Sequence, residues 1–374
     1  MKKLKYCATC LFGLEGIVAN EVKNIGGEDV LADNGKVTFL GGVDMMYKAN
    51  LWLRCAERVL IDLGSFKALT FEQLFEGVRK IDFSFFIGRD NAFPVKGWSL
   101  NSKLTSIPAC QSIVKKAVVK SLEKSYKQAW FEETGSTVQI QFSILKDTAT
   151  IYLDTSGEGL HKRGYRPHSN EAPIKETLAA GMISLCKLYD DSNIYDPFCG
   201  SGTFAIEAAM KIKNIAPGLH RSFAFENWKI FNKSDFQRIR REALDAVKKD
   251  VTFQVFASDI DKNAVALTVE NARRAGVVGH IKTKVADIKD FHIPTERGVV
   301  FTNPPYGERL LDIKSAEELY KTMGQVFTLR KGLSYYIISP HEEFESFFSK
   351  KADRRRKLYN GMIKCQVYMY FKGE

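Results

Sequence analysis

The feature that most constrains this chain is Gly298-Val299-Val300-Phe301-Thr302 followed at once by Asn303-Pro304-Pro305-Tyr306. An unbroken apolar run closed by prolines reads as a buried strand of a parallel sheet, where both faces are covered and no polar alternation is needed. The prolines cannot extend the strand, so Asn303 stands at its carboxyl end, where open α/β sheets bind ligands. The residue types there suit one chemistry. The Asn303 amide oxygen and a proline carbonyl can accept hydrogen bonds from an exocyclic amine, and an exposed Tyr306 can stack on a planar base. A proline-stiffened strand-to-helix turn would carry the same residues, so the rest of the chain decides.

A second signal lies upstream. Ser192 to Asp196 reads as a short strand, Cys199-Gly200-Ser201-Gly202-Thr203 as a tight turn, and Phe204 to Ile212 as an apolar-periodic helix. Glycines in such a turn let backbone approach a nucleotide closely, with the helix N-terminus beneath it. No Gly-Lys-Ser/Thr follows, so this is not a P-loop, and the full dinucleotide fingerprint is absent too. Phe253 to Asp259 is a further strand ending in a carboxylate, suited to the two hydroxyls of a ribose. Ile281 to Ala286 is another, ending at Asp287, which is placed to meet an adenine amino group. Each aspartate alone would pass as a helix cap. Three polar strand ends in this order before Asn-Pro-Pro-Tyr are not explained by caps.

Asp196-Pro197-Phe198-Cys199-Gly200-Ser201-Gly202-Thr203, Ser258-Asp259-Ile260-Asp261, Asp287 and Asn303-Pro304-Pro305-Tyr306-Gly307-Glu308-Arg309 resemble the motifs of S-adenosylmethionine-dependent methyltransferases that modify exocyclic amines. Gly159 to Arg166, followed by Ala172 to Ala179, resembles the entry segment of one branch, the THUMP-domain RNA methyltransferases related to bacterial 23S ribosomal RNA guanine-N2 enzymes. The likeness covers roughly residues 45 to 374 and is tighter in the second half.

That resemblance implies an α/β Rossmann-like class I methyltransferase domain, a mostly parallel seven-stranded sheet with a terminal antiparallel hairpin, behind an N-terminal α+β ferredoxin-like and THUMP region. The expected division is 1–44 for the ferredoxin-like unit, 45–155 for THUMP and 156–374 for the methyltransferase domain. It also implies that Asp196, Cys199, Gly200, Ser201, Gly202, Thr203, Asp259, Asp287 and Asn303 surround S-adenosylmethionine, and that Asn303, Pro304, Pro305 and Tyr306 hold the target base. A plain Rossmann unit would put its acidic residue about 20 residues after the glycines. Here the insertion Asn214 to Lys249, which relatives share, pushes it to Asp259, with Asp261 the alternative.

Composition sets the partner class. Net charge is +11, which favours a polyanion. A helix expected from Ile107 to Leu122 carries Lys115, Lys116 and Lys120 on its polar face; with Arg163 and Arg166 of the entry segment these are the candidate RNA contacts, a solvated helix face being the other reading. The run Lys350 to Lys357 is either a phosphate grip or a solvated loop, and Asn360-Gly361 predicts a type I′ hairpin turn. Seven scattered cysteines fit reduced thiols, the lone Cys7-x-x-Cys10 lacks further zinc ligands, and no metal is expected. No run of about 18 apolar residues occurs, and Met1-Lys2-Lys3-Leu4 has no signal-peptide core, so the expected location is the cytoplasm. Many ribosomal enzymes of this branch carry a fused second methyltransferase; with this sequence ending at Glu374, such an activity is expected elsewhere.

The expected reaction is methylation of a guanine N2 amine in 23S ribosomal RNA. Transfer RNA is the alternative acceptor, DNA adenine-N6 chemistry a more distant one, and a non-catalytic RNA-binding protein the remaining class.

Overall fold

The computed structural model describes residues 3–167, 173–306 and 312–371. Met1-Lys2, Ala172 and the Gly307-Glu308-Arg309 end of the last motif lie outside them.

The first half runs β1 (Leu4–Cys10), α1 (Glu15–Asn24), β2 (Glu28–Asp33), β3 (Lys36–Gly41), α2 (Val43–Trp52), β4 (Ala56–Lys67), α3 (Phe71–Arg79), β5 (Val95–Leu100), α4 (Ile107–Tyr126), β6 (Ile140–Leu145) and β7 (Thr148–Asp154). Its strands form one sheet in the order β2-β3-β1-β4-β7-β6-β5. Strand β4 unites the two expected modules: its first half pairs with β1 and its second with β7, with a bulge between Asp62 and Gly64. Alternating burial along β3 shows one face packed and the other wet. β2 escaped the sequence reading because none of its residues is buried, which erases the period-two signal. At the start of α3 the Thr70 hydroxyl accepts from the Gln73 N–H, as a capping sequence requires.

The second half runs α5 (Glu176–Ile183), β8 (Asn193–Asp196), α6 (Thr203–Ile212), α7 (Lys233–Asp245), β9 (Gln254–Asp259), α8 (Lys262–Arg274), β10 (Ile281–Val285), β11 (Gly298–Thr302), α9 (Ile313–Val326), β12 (Leu333–Ser339), α10 (Phe344–Phe348), β13 (Arg354–Asn360) and β14 (Ile363–Tyr370). Sheet order is β10-β9-β8-β11-β12-β14-β13. The pairs from β10 to β12 are parallel, and β14 enters antiparallel between β12 and β13. Strand order therefore reverses between β8 and β11. That is the topological switch point, and Asp196 and Asn303 sit at its two carboxyl ends.

The helix before β8 is the short α5. Two local expectations are corrected. In the terminal hairpin Asn360 pairs with Ile363, so the loop is Gly361-Met362. Gly361 has φ +66° and Met362 is not among the positive-φ residues, which is the pattern of a II′ turn, not I′. The basic run is half edge strand: Arg355 bonds Glu345, and Arg356 donates to the Gly13 carbonyl of the first half.

Candidate active site

The glycine turn between β8 and α6 is braced from behind. Gly202 caps α6 at φ +82°, and an added Cβ there would lie 2.8 Å from the Thr268 side chain. Thr268 donates to the Gly200 carbonyl at 2.9 Å, and Asn271 Nδ2 to the Ser201 carbonyl at 2.9 Å. Both braces are fully buried on α8. Sequence reading missed them, although two polar residues on the apolar face of a helix were a usable signal.

Asp259, at the end of β9, is anchored through both oxygens. Oδ2 accepts from the Gly200 N–H at 2.9 Å and Oδ1 from the Asp261 N–H at 3.0 Å, leaving a further acceptor position on each. Asp261 instead caps α8, accepting from the Asn263 N–H at 2.8 Å. Asp287 caps a single helical turn through the Lys289 N–H. Asp196 is almost completely buried; burial pushes its carboxyl well above the ordinary carboxylate range, the Phe198 N–H opposes, and the Asp259 charge adds to the rise. Burial likewise pushes the Cys199 thiol up, so it stays protonated and serves the turn as a small packing residue.

These groups share one cavity of about 970 Å³ lined by Asp196, Cys199, Gly200, Ser201, Thr203, Asp259 and Asp287, and by Asn303, Pro304, Pro305 and Tyr306 across the switch point. Apolar walls come from Ile260, Ala264 and Ile288; Glu318 and Thr322 of α9 close a side that no motif announced. The Asn303 Oδ1 atom is buried and, among the described residues, has no hydrogen-bond partner. An orphaned amide oxygen costs about 1–3 kcal/mol unless a donor reaches it. The residues therefore fit a nucleoside-bearing group beside an amine donor.

Tyr306 differs from expectation. The residue is 6% exposed, not presented to solvent, and its hydroxyl accepts from Asn360 Nδ2 at 2.9 Å. Two basic residues expected at RNA are also elsewhere. Arg163 is buried against Glu207 and the Arg54 and Leu160 carbonyls, where no RNA phosphate can reach it. Arg166, its side chain 9% exposed, pairs with Glu176 behind the glycine turn. On α4, Lys115 is tied to Glu133 and lies over the Phe93 ring, with burial pulling its ammonium below the ordinary range and Glu133 opposing. Lys116 and Lys120 are exposed on the same helix.

Residues 163–369 match the RMKL-like methyltransferase domain, residues 5–60 the RlmL ferredoxin-like domain, and residues 68–154 the THUMP domain. The chain is 46% identical over 373 residues to "Putative RNA methyltransferase YpsC" of Bacillus subtilis (strain 168), covering 99% of this chain and 97% of that protein. It is 34% identical over 375 residues to "Ribosomal RNA large subunit methyltransferase K/L" of Psychromonas ingrahamii, covering 98% of this chain and 50% of that protein, so it spans about half the length of that relative. Among solved structures, "SMU.472, a putative methyltransferase complexed with SAH" matches with a TM-score of 0.93 at 41% identity, over 99% of this chain and 98% of that one. With a glycine turn, an anchored carboxylate and an orphaned asparagine oxygen around one cavity, and this likeness along nearly its whole length, the chain belongs to the THUMP-containing, RMKL-like methyltransferases.

Proposed function

We propose that this protein methylates the exocyclic N2 amine of a guanine in 23S ribosomal RNA, with S-adenosylmethionine as methyl donor. The observation that carries the reading is the buried, unpartnered Asn303 Oδ1 in the wall of the cavity that also holds the glycine turn and Asp259. S-adenosylmethionine supplies an electrophilic methyl group on a sulfonium.

The chain's own residues do the rest. Asp259, held by two backbone N–H groups, turns its remaining acceptor positions to the ribose hydroxyls, and Asp287 lies toward the adenine. Asn303 Oδ1 and the Pro304 carbonyl accept the two amine hydrogens of a base flipped from the RNA, at a few kcal/mol of unstacking. Holding those hydrogens in place aims the nitrogen lone pair at the methyl carbon and favours the positive charge that grows on nitrogen, which is discharged as one of the two held hydrogens leaves as a proton to water. Tyr306, anchored by Asn360, forms the wall against which the base lies. Positioning of this kind supplies on the order of 7–11 kcal/mol of barrier lowering. Exposed Lys116 and Lys120 are proposed RNA contacts; Arg163 is not.

The preference for ribosomal RNA rests on the relative named as a large-subunit ribosomal RNA enzyme. The test is methyl transfer from labelled S-adenosylmethionine to stripped ribosomal RNA, transfer RNA and DNA, with nucleoside analysis and an Asn303→Ala control. N2-methylguanosine in 23S RNA, lost in the variant, is expected. Label in transfer RNA guanine or DNA adenine would keep the chemistry and replace the acceptor, and label unaffected by Asn303→Ala would sink the assigned amine site.

A further inference from the structure

Arg166 sits behind the glycine turn in a geometry that ordinary packing does not require. Its Nη1 donates to Thr203 Oγ1 at 2.8 Å, and lies 3.3 Å from both Ser201 Oγ and the Ile174 carbonyl. Its Nη2 is 2.8 Å from Glu176 Oε2, with the two side chains 9% and 3% exposed. Ser201, Thr203 and Ile174 line the large cavity. A guanidinium can only donate, so each hydroxyl that accepts from it must send its own hydrogen elsewhere. The hydroxyls are 3.4 Å apart, so one can at most donate to the other. Among the described residues neither has a further acceptor, so at least one O–H is left without one, and both hydroxyl-bearing residues line the cavity.

Two features at this end of the cavity favour an anion, although the Glu176 carboxylate beside Arg166 offsets part of its charge. A hydroxyl donor stands at the first turn of α6, whose positive end adds to the effect, and the cation that orients it lies directly behind. Within S-adenosylmethionine the one anionic group is the carboxylate of its amino-acid end. We infer that Arg166 is a positioning residue for the methyl donor, orienting Ser201 and Thr203 as hydrogen-bond donors to that carboxylate. The inference rests on the cofactor reading above and gives Arg166 a role distinct from RNA contact.

The test compares binding of S-adenosylhomocysteine with that of 5′-methylthioadenosine, which keeps the adenosine and sulfur and lacks the amino-acid end. Calorimetric titrations would use the wild type, Arg166→Ala, Arg166→Lys and Thr203→Val, with thermal melts to identify folded protein. Arg166→Ala is expected to weaken S-adenosylhomocysteine about tenfold or more and leave 5′-methylthioadenosine within about twofold, as loss of hydrogen bonding to a charged group predicts. Arg166→Lys should restore part of the loss. Thr203→Val leaves the Arg166–Glu176 pair in place and should show the same ligand-selective defect even where Arg166→Ala fails to fold. Equal weakening of both ligands, or of neither, would overturn the role of Arg166. A wild type that binds neither would overturn the cofactor reading itself, and the inference with it.

Discussion

Asn360 Nδ2 donates to the Tyr306 hydroxyl across 2.9 Å, tying the last residue of β13 to the end of the Asn-Pro-Pro-Tyr turn. The same strand reaches the first half of the chain: Arg356 donates to the Gly13 carbonyl, and the Phe12 and Tyr359 rings are 6.2 Å apart. The edge of the catalytic sheet thus touches both the site and the N-terminal unit.

The first prediction concerns that tie. Asn360→Ala should slow methyl transfer about tenfold, one buried hydrogen bond's worth of positioning, with S-adenosylhomocysteine affinity unchanged. Tyr306→Phe should match it. If the two act through one bond, the double variant is no slower than either single one. Losses that multiply in a double-mutant cycle would refute the coupling.

A second pair of variants separates two neighbouring carboxylates. Asp259→Asn should weaken S-adenosylhomocysteine by about tenfold or more, because a charged acceptor is lost from the ligand's side. Asp261→Ala removes only a helix cap and should cost about 1 kcal/mol of stability with binding intact. Titration calorimetry beside thermal melts reads both, and a binding defect in Asp261→Ala would reverse the assignment.

Local and long-range causes were unequally legible in the sequence. Strand ends at Asp196, Asp259 and Asn303 could be read because apolar runs and glycine or proline stops are local signals. The fate of Arg163 could not. A Lys-Arg pair reads as surface, and its burial is decided by Glu207, 44 residues on in the apolar face of α6. The clue was a lone glutamate inside Phe204-Ala205-Ile206-Glu207-Ala208-Ala209, a charge in a position that demands a partner. Tyr306 reads as exposed for a similar reason, since Asn360 lies 54 residues away and has the look of a turn residue.

A third prediction follows from Glu57 of β4, which joins the two halves by accepting from Thr177 and pairing with Lys175 at 3.2 Å, with His161 Nδ1 3.6 Å away. Burial alone would raise its carboxyl, but these partners outweigh it and hold it at about 2. A carboxyl depressed in the folded state contributes stability above its unfolded value and loses it as pH falls through the folded one. The contribution should therefore fade between about pH 5 and pH 2. Denaturation curves of the wild type and Glu57→Gln should converge across that window; a gap that stays constant would show that the Glu57 charge contributes nothing.

The last prediction separates a buried arginine from exposed lysines. Removing Arg163 strands the Glu207 carboxylate in the core, which should cost about 3–5 kcal/mol of stability. Protein that remains folded should bind RNA with unchanged salt dependence, because no phosphate reaches that site. Lys116→Ala and Lys120→Ala should behave in the opposite way. Each leaves melting temperature nearly intact, since an exposed pair such as Lys120 with Glu123 contributes about 0–1 kcal/mol. Each should lower the slope of log affinity against log salt by about 0.7 to 0.9, one released counterion apiece. Filter binding of ribosomal RNA fragments over a salt series reads the slopes. An unchanged slope in both lysine variants would make the α4 face a solvated surface and move the RNA path elsewhere on the protein.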